Sequence, residues 1–593
     1  MKLPEVLTLG TFRQLYANGT SPLDVLELLE KRWRDFEKTG NPVWISRRNL
    51  ADLLEEAEAL VQRKNAGATL PLYGIPFAVK DNIDVRGMPT TAGCPEFAYE
   101  PKEDAAAVAL LREAGAMVVG KTNLDQFATG LVGTRSPYGA CRHAHSAEWI
   151  SGGSSSGSAV AVAAGLVPFS LGTDTAGSGR VPAAFHGLVG VKGTRGLVST
   201  RGVVPACRSL DCVTLFAHSL GEASELFALV AKFDPLDPYS RRAKAFLRPA
   251  GLGETERFSF GVPRESDWCF FGDQEAERLY RDKIDALVKL GGERREIDDR
   301  PLREAALLLY QGPWVAERTA AVEAFLQSHP DKIHPVVRKI LESGKEKSAV
   351  EAYRGAYALE EYKRQTEEIW SNIDFLLLPT APTMYRIAEV EKDPILLNSR
   401  LGTYTNFVNL LDLAALAVEA GEREDNGLGF GVSLIAPAWS ENQLFRWAAL
   451  LQGEEPVSPP LSGGDILFAV CGAHLRGQPL HGQLLALGAT FVEETRTAPE
   501  YHLFALPTDP PKPALVAVAE GRGCSVEVEL YRISQKGLGC LLTKVPAPLA
   551  LGAVRLQNGR EVCGFLGAEG SCRGAEDITA YGSWRSWRKR DCS

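Results

Sequence analysis

The sequence SGGSSSGS at residues 151–158 runs directly into the small-residue stretch AVAVAA at 159–164, a loop rich in glycine and serine followed by a helical pattern. A second stretch, GTDTAGSGR, follows at residues 172–180. Alone, either stretch is typical of a flexible loop. Together they indicate a reactive site. The small residues at 175–177 let the backbone approach a substrate closely, and consecutive amides there can form an oxyanion hole for Ser178.

A nucleophilic serine needs a base, and the sequence offers two kinds. His143 and His145 lie near in sequence, but no Ser–His–Asp order and no GxSxG elbow supports them. A lysine can serve instead if burial keeps it neutral. The stretch GIPFAVKDN at residues 74–82 ends an apolar strand with Lys80, where the amine would be partly desolvated. Lys80 is therefore a candidate for the base.

The region from about residue 70 to 220 alternates short apolar runs with Ala-rich helical patterns. Runs at Ile75–Val79 and Met117–Val119 predict strands, and Ala105–Ala114 and Ser158–Gly165 predict helices. Such alternation predicts an α/β fold with a mixed sheet.

These motifs, with GKTNLDQF at residues 120–127 and LPT at 378–380, resemble the amidase signature family over most of residues 20–450. The resemblance implies a mixed β-sheet core flanked by helices and a Ser–Ser–Lys triad without cofactor or metal. In that triad Ser178 is the nucleophile, and Ser154, which follows a cis peptide, passes its proton to Lys80. The oxyanion would be held by the amides of Thr175, Ala176, Gly177 and Ser178. Asp174 and Arg180 match supporting positions.

Substrate choice must come from residues outside the triad. The stretch YQGPWVAER at 310–318 resembles the substrate-recognition segment of allophanate hydrolases. Pro313 can open a helix that aims Arg318 inward, with Tyr310 just before it. An arginine fork suits a small carboxylate, and a tyrosine hydroxyl suits a carbonyl or amide. The alternative is an ordinary helix with a surface arginine. By the same comparison, Gly130 supplies a further backbone contact.

The composition changes abruptly after Gln452. We expect an amidase signature domain over residues 1–452, a Pro/Gly/Ser-rich linker over 453–465 and a smaller α+β domain over 466–593. Asn558-Gly559 between two apolar runs predicts a hairpin in this last part. VCGAHLRGQPL at 470–480 and VCGF at 562–565 resemble the second domain of allophanate hydrolases. The resemblance implies that His474 is the candidate for decarboxylation of the carboxylated product. The alternative is that this domain serves the assembly of the protein.

Two further motifs are rejected. GAMVVGKT at residues 115–122 matches the phosphate-loop pattern GxxxxGK[ST], but a helical pattern precedes it and AMVV indicates a buried strand, which leaves no loop amides for phosphate. CRHAH at 141–145 resembles a metal cluster but lacks a partner group at zinc-site spacing, so a polar loop is expected.

Composition narrows the classes of partner. Lys plus Arg total 65 against 74 Asp plus Glu, which does not favour nucleic-acid binding. The basic stretch WRSWRKR at 584–590 is predicted to be a solvated tail. No apolar run is long enough to span a bilayer, and no signal peptide is visible. Eleven cysteines without a CxxC pair are typical of a reducing cytoplasm.

The resemblance implies an amidohydrolase acting on a linear amide, with allophanate as substrate and ammonia and N-carboxycarbamate as products, in the assimilation of nitrogen from urea or cyanuric acid. It also implies a homodimer and leaves room for a separate allophanate-forming enzyme. Two alternatives stay open: a broad-specificity small-amide amidase, or an amidotransferase-type subunit that passes ammonia to a partner.

Overall fold

The computed structural model describes residues 3–242, 258–454, 465–508, 511–519, 522–545, 549–567, 572 and 574–590. These residues divide into two compact units. The first comprises residues 3–242 and 258–454, and the second comprises the described residues from 465 onward. Most of the predicted linker at 453–465 lies outside the described residues.

The first unit alternates strands with helices along the chain. Its strands are β1 (Trp44–Arg47), β2 (Pro76–Lys80), β3 (Met117–Thr122), β4 (Arg142–His143), β5 (Ser146–Ile150), β6 (Phe169–Asp174), β7 (Val189–Lys192), β8 (Cys212–Ala217), β9 (Ser259–Pro263), β10 (Glu293–Ile297), β11 (Phe375–Pro379), β12 (Leu413–Glu422) and β13 (Gly429–Pro437). Its helices are α1 (Leu9–Ala17), α2 (Pro22–Glu37), α3 (Leu50–Asn65), α4 (Ala106–Glu113), α5 (Ser156–Ala163), α6 (Val181–Phe185), α7 (Leu220–Val230), α8 (Gln274–Lys289), α9 (Arg300–Leu307), α10 (Trp314–Ser328), α11 (Pro335–Gly344), α12 (Ala349–Asn372), α13 (Ile387–Lys392), α14 (Leu396–Leu401), α15 (Phe407–Leu410) and α16 (Glu441–Gln452).

In the described part of this unit, eleven strands form one mixed sheet in the order β1-β3-β2-β6-β8-β7-β12-β13-β11-β9-β10. Strand β2 pairs in parallel with both β3 and β6, whereas β6 pairs antiparallel with β8. Because parallel strands end at the same edge, Lys80 at the end of β2 and Asp174 at the end of β6 emerge together. The predicted α/β fold with a mixed sheet is confirmed.

The packing of helix α5 explains why the stretch at residues 151–164 consists of small residues. All but one of its residues are buried against the sheet. A Cβ at Gly157 would lie 2.5 Å from the Val43 carbonyl oxygen and 2.7 Å from the Asn123 amide nitrogen, so only glycine fits. The helix therefore packs close to the strands and presents the loop before it, at residues 151–155, to the sheet edge.

The false phosphate loop is a buried strand, as the order of the pattern predicts. Residues 117–122 form β3, and Gly115 follows α4 with a φ of +97°. Lys121 is fully buried and pairs with Asp81 at 3.0 Å. Its amine is thus a structural ion-pair partner.

The stretch at 141–145 differs from expectation. Arg142–His143 forms the short strand β4, which pairs with β5, and His143 is buried. Its Nε2 lies 2.8 Å from the Phe185 carbonyl oxygen, and its ring stacks on His186 at 4.1 Å. The predicted polar loop is therefore wrong here, because these contacts bury the imidazole. Among the described residues, no group of three His, Cys, Asp or Glu side chains is placed to hold a metal ion.

The second unit is rich in strands. Its elements are β14 (Asp465–Val470), α17 (His481–Ala486), β15 (Thr490–Arg496), β16 (Tyr501–Leu506), β17 (Lys512–Ala517), β18 (Glu527–Ser534), α18 (Gln535–Leu542), β19 (Leu549–Arg555), β20 (Glu561–Gly567), β21 (Glu576–Asp577) and α19 (Trp584–Lys589). Its described strands form a sheet of order β15-β18-β14-β20-β19 and a smaller one of order β17-β16-β21. Strands β19 and β20 form the predicted hairpin around Asn558-Gly559.

The basic C-terminal stretch is not a solvated tail, so that prediction is wrong. It forms α19, in which Trp584 and Trp587 are only 2% and 6% exposed and belong to the core of the second unit. Arg585 pairs with the fully buried Glu529 and, at 2.9 Å, with Glu527. Two tryptophans three residues apart share one helix face, and burying them outweighs exposing the charged residues between them.

None of the helices in the described ranges has the length and apolar character needed to cross a membrane.

Candidate active site

Lys80 ends β2 with its side chain completely buried. Its Nζ donates to Ser154 Oγ and to Thr173 Oγ1, each at 2.7 Å. Burial lowers the pKa of this amine to about 7, although the nearby carboxylates of Asp125, Asp174 and Asp211 oppose the shift. A substantial fraction of the amine is therefore neutral at neutral pH, which a proton acceptor requires.

Ser154 lies in the loop before α5, and the Gly153–Ser154 peptide is cis, as the resemblance implies. The loop packs against Asp125 so tightly that a Cβ at Gly153 would come within 2.2 Å of the Asp125 Oδ2 atom. Asp125 itself accepts hydrogen bonds from the amides of Val132 and Gly133, at 3.2 and 3.0 Å. The Asp125 backbone amide donates to the Ser154 carbonyl oxygen at 3.2 Å, so Asp125 contacts both glycine-containing loops.

Ser178 is buried in the turn between β6 and α6. Its Oγ donates a long hydrogen bond of 3.5 Å to the Gly130 carbonyl oxygen, and the Ser155 amide donates to the Ser178 carbonyl at 3.4 Å. The two serine segments therefore lie side by side. Within the described residues, no hydrogen bond joins the hydroxyls of Ser154 and Ser178, so only the Ser154–Lys80 link of the predicted relay is formed here.

Asp174 organises the turn that carries Ser178. Its carboxylate accepts the Gly177 and Gly179 amides at 2.8 and 3.1 Å. It also receives a bidentate pair from Arg180, at 2.9 and 3.0 Å, and both side chains are fully buried. The turn is thus held by a pair of opposite charges away from water, which agrees with the supporting role that the resemblance implies.

The four amides predicted to form the oxyanion hole differ in their hydrogen bonding. The amide of Gly177 donates to the Asp174 carboxylate at 2.8 Å. No described residue accepts a hydrogen bond from the amides of Thr175, Ala176 or Ser178. These three donors are the ones available to a developing oxyanion.

Asp211 is a site residue that sequence reasoning missed. Its buried carboxylate accepts the Thr175 hydroxyl at 2.5 Å and the amides of Ala206 and Cys207 at 2.8 and 3.1 Å. Burial raises the pKa of Asp211 to about 6. The contact with Thr175 anchors the first residue of the oxyanion turn, and no local pattern in the sequence signals it.

Arg318 lies on α10 and is 2% exposed, so the interpretation as a surface arginine is wrong. Its Nη1 donates to Thr129 Oγ1 at 3.0 Å, and its guanidinium lies 5.2 Å from the centre of the Tyr310 ring. Its Nε and Nη2 have no hydrogen-bond partner, and no carboxylate pairs with it among the described residues. A buried cation without a counter-ion lowers the stability of the folded protein unless a bound anion pairs with it.

In the second unit, His474 is half-buried and its ring stacks on Phe565 at 5.1 Å. Its Nε2 lies 3.4 Å from Gln483 Oε1, and burial lowers its pKa to about 4. His474 lines a small cavity together with Lys512. A neutral imidazole beside a lysine is compatible with handling a small anion, and its role stays a prediction.

Two family models match this chain. Residues 27–445 match the Amidase family, and residues 466–589 match the Allophanate hydrolase C-terminal domain. The chain belongs to the amidase family. Within it, the chain is similar to the allophanate hydrolase of Kluyveromyces lactis, with 39% identity, coverage of 99% of both chains and a TM-score of 0.82. It is an amidase-family hydrolase closely related to allophanate hydrolase.

Two curated relatives extend this picture. The urea amidolyase of Saccharomyces cerevisiae is 44% identical over 578 residues, which cover 92% of this chain and 31% of that protein. The chain thus spans less than a third of the urea amidolyases that it matches. A glutamyl-tRNA(Gln) amidotransferase subunit of Deinococcus radiodurans is 35% identical over 424 residues, 67% of this chain and 87% of that protein.

Proposed function

We propose that this chain hydrolyses allophanate, releasing ammonia and leaving N-carboxycarbamate. The observation that carries the proposal is Arg318, a buried guanidinium whose Nε and Nη2 lack partners among the described residues. A planar carboxylate can accept two parallel hydrogen bonds from such a fork. Ordinary neutral amides offer no charge to compensate it.

The segment Thr129-Gly130 contacts both the substrate-recognition residue Arg318 and the nucleophile Ser178. Thr129 binds Arg318 through its hydroxyl, and the next residue, Gly130, presents its carbonyl to Ser178. Consecutive Cα atoms are about 3.8 Å apart. Two adjacent residues thus contact the guanidinium and the reactive serine, which supports a short substrate. In allophanate one nitrogen separates the carboxylate from the scissile carbonyl.

The chemistry follows from the geometry around Lys80. Neutral Lys80 accepts the Ser154 proton while Ser154 takes the proton of Ser178, whose Oγ attacks the terminal amide carbon. The amides of Thr175, Ala176 and Ser178 stabilise the oxyanion. The proton returns through Ser154 to the leaving nitrogen as the C–N bond breaks, and ammonia departs. Water then attacks the acyl carbon, and its proton passes through Ser154 to Lys80. The proton returns to Ser178 Oγ as N-carboxycarbamate leaves.

The test is the release of ammonia from allophanate, biuret, malonamate and acetamide by the full chain. We expect allophanate to be strongly preferred. Replacing Arg318 by Lys keeps the charge but loses the fork, and both Arg318→Lys and Arg318→Ala should lower kcat/KM for allophanate by about 10- to 150-fold. Unchanged turnover in both variants would remove the basis of the proposal. Equal turnover of acetamide would favour a broad-specificity amidase.

An amidotransferase-type subunit is the second candidate, and the similarity to the glutamyl-tRNA(Gln) amidotransferase of Deinococcus radiodurans supports it. It predicts ammonia release from glutamine, which lacks the short carboxylate–amide spacing. Assay with glutamine distinguishes the two functions.

The remaining assignments are proposals as well. We place the domains at 1–452 and 466–593 with a linker at 453–465, supported by the two compact units. Similarity to urea amidolyases favours urea over cyanuric acid as the nitrogen source, with allophanate supplied by a separate enzyme or domain. Eleven cysteines without a CxxC pair support a cytoplasmic location.

A homodimer is proposed on the basis of α12. Its side chains Val350, Tyr353 and Tyr357 are all more than half exposed and follow one helical face. A second copy of the chain can cover this apolar stripe. Sedimentation velocity of the full chain and of Tyr353→Glu measures it, and a monomeric wild-type protein would contradict it.

A further inference from the structure

A second buried guanidinium lies beside the first. Arg135 is only 1% exposed, and its Nη1 and Nη2 donate to the carbonyl oxygens of Thr129 and Pro394, at 2.9 and 2.6 Å. Its Nε has no hydrogen-bond partner, and within the described part of the chain no carboxylate forms an ion pair with it. Arg135 is thus a cation removed from water and held by neutral carbonyl groups alone.

Arg135 and Arg318 meet on one residue. Arg135 donates to the carbonyl oxygen of Thr129, and Arg318 donates to the hydroxyl of the same Thr129 at 3.0 Å. Burial lowers the pKa of Arg135, and the neighbouring Arg318 charge lowers it further while Asp125 opposes the shift. Two like charges in one dry region repel each other, which favours the arrival of an anion.

The carboxylate that acts on the Arg135 charge is that of Asp125. Asp125 accepts three backbone amides, those of Val132, Gly133 and Arg135 itself, at 3.2, 3.0 and 2.9 Å. The Asp125 carboxylate therefore holds the loop at residues 132–135 and, among the described residues, forms no ion pair with either guanidinium. The two arginines together therefore provide more positive charge than this part of the site neutralises at contact distance.

We propose that Arg135 is a specificity-determining positioning residue, which adds a second positive charge behind Arg318 and, through Thr129, holds the anion-binding end of the site in register with Ser178. The inference rests on the proposed function in that the anion is taken to be the substrate's carboxylate. Arg135 acts on the substrate through Thr129 and through its charge. A purely structural role, in which Arg135 only ties Thr129 to Pro394, is the competing explanation.

Binding of malonate and malonamide to the full chain distinguishes these explanations by calorimetry. Malonate is a small dicarboxylate, and malonamide has the same frame without charge. Arg135→Gln can still donate to a carbonyl but lacks the charge, so we expect malonate affinity to fall about tenfold or more while malonamide affinity stays within twofold. Arg135→Lys keeps the charge and should retain malonate affinity within threefold.

Arg32 provides a matched control. It also donates to backbone carbonyls, those of Leu3, Pro4 and Gly165, at 3.0, 2.7 and 2.8 Å. Arg32→Gln should leave the affinity for both ligands unchanged. Turnover adds a second measurement, since Arg135→Gln should raise KM for allophanate about tenfold and change kcat less than threefold.

The outcomes separate the two proposals. Equal loss of malonate and malonamide affinity in Arg135→Gln, or loss of malonate affinity in Arg135→Lys as large as in Arg135→Gln, would overturn the role of Arg135. If the glutamine variant does not fold, a loss of malonate affinity of about tenfold or more in Arg135→Lys would overturn the role of Arg135 by itself. Failure of the wild-type chain to bind malonate also overturns it. Malonate binding without allophanate turnover overturns the proposed function alone.

Discussion

Lys80 sets the pH at which this site can work. Its pKa is lowered to about 7, and only the neutral amine can accept a proton. We therefore expect kcat/KM for allophanate to rise with pH through about 7 and to level off above it. A profile that stays flat from pH 5.5 to 8.5, roughly the window in which a group of this pKa titrates, would contradict this assignment.

A variant of Asp211 tests the direction in which neighbouring charges shift the pKa of Lys80. Its carboxylate is one of the charges that raise the pKa of Lys80. Removing that charge in Asp211→Asn should lower the pKa of Lys80, so the rising limb of the pH profile should move to lower pH. A rising limb that moves to higher pH in Asp211→Asn would contradict this electrostatic effect on Lys80.

Lys80→Ala should lower turnover by several orders of magnitude, because triad residues act as a unit.

At the scale of elements, β2 and β3 lie in parallel and bring Lys121 against Asp81 in the interior. Removing one partner of a buried ion pair leaves an uncompensated charge, which costs about 3–5 kcal/mol. Lys121→Met should therefore lower the free energy of unfolding by about this amount, measured by urea denaturation.

The exposed Lys31 provides the control for this change. Lys31→Met should alter the free energy of unfolding by less than about 0.5 kcal/mol, as surface substitutions usually do. If Lys121→Met is as stable as Lys31→Met, the pair does not stabilise the strands, and a functional role for Lys121 would have to be reconsidered.

At the scale of the whole molecule, all the residues of the candidate amide-cleaving site lie in the first unit, and His474 lies in the second. We expect a chain truncated near Pro459, which lies outside the described residues, to fold and to release the first ammonia from allophanate. Circular dichroism and ammonia release measure the two properties. A folded truncation that cannot cleave the amide would show that the first reaction needs the second unit.

The second unit is tested on the carboxylated product. Because spontaneous decarboxylation can hide an enzymatic step, the final yield of ammonia is a poor measure. Rapid-quench assays should instead follow the intermediate in the full chain, the truncation and His474→Ala. A catalytic role predicts slower disappearance in both variants. Equal rates in all three would favour an assembly role for the unit.

The sequence alone was sufficient for the parts of this protein that depend on neighbouring residues. The strand ending in Lys80, the small-residue helix α5, the turn carrying Ser178 and the hairpin at Asn558-Gly559 each follow from a short pattern. Such patterns succeed because local backbone preference and hydrophobic periodicity act over a few residues. They also carry the family resemblance, which pointed to Arg318.

Contacts between groups that are far apart in the sequence arise only when the chain is folded. Asp211 reaches Thr175 across 36 residues, Arg318 reaches Thr129 across 189, and Arg135 reaches Pro394 across 259. The burial of Trp584 likewise depends on the core of the second unit. Burial and charge compensation are properties of an assembled interior, so no local pattern could predict them.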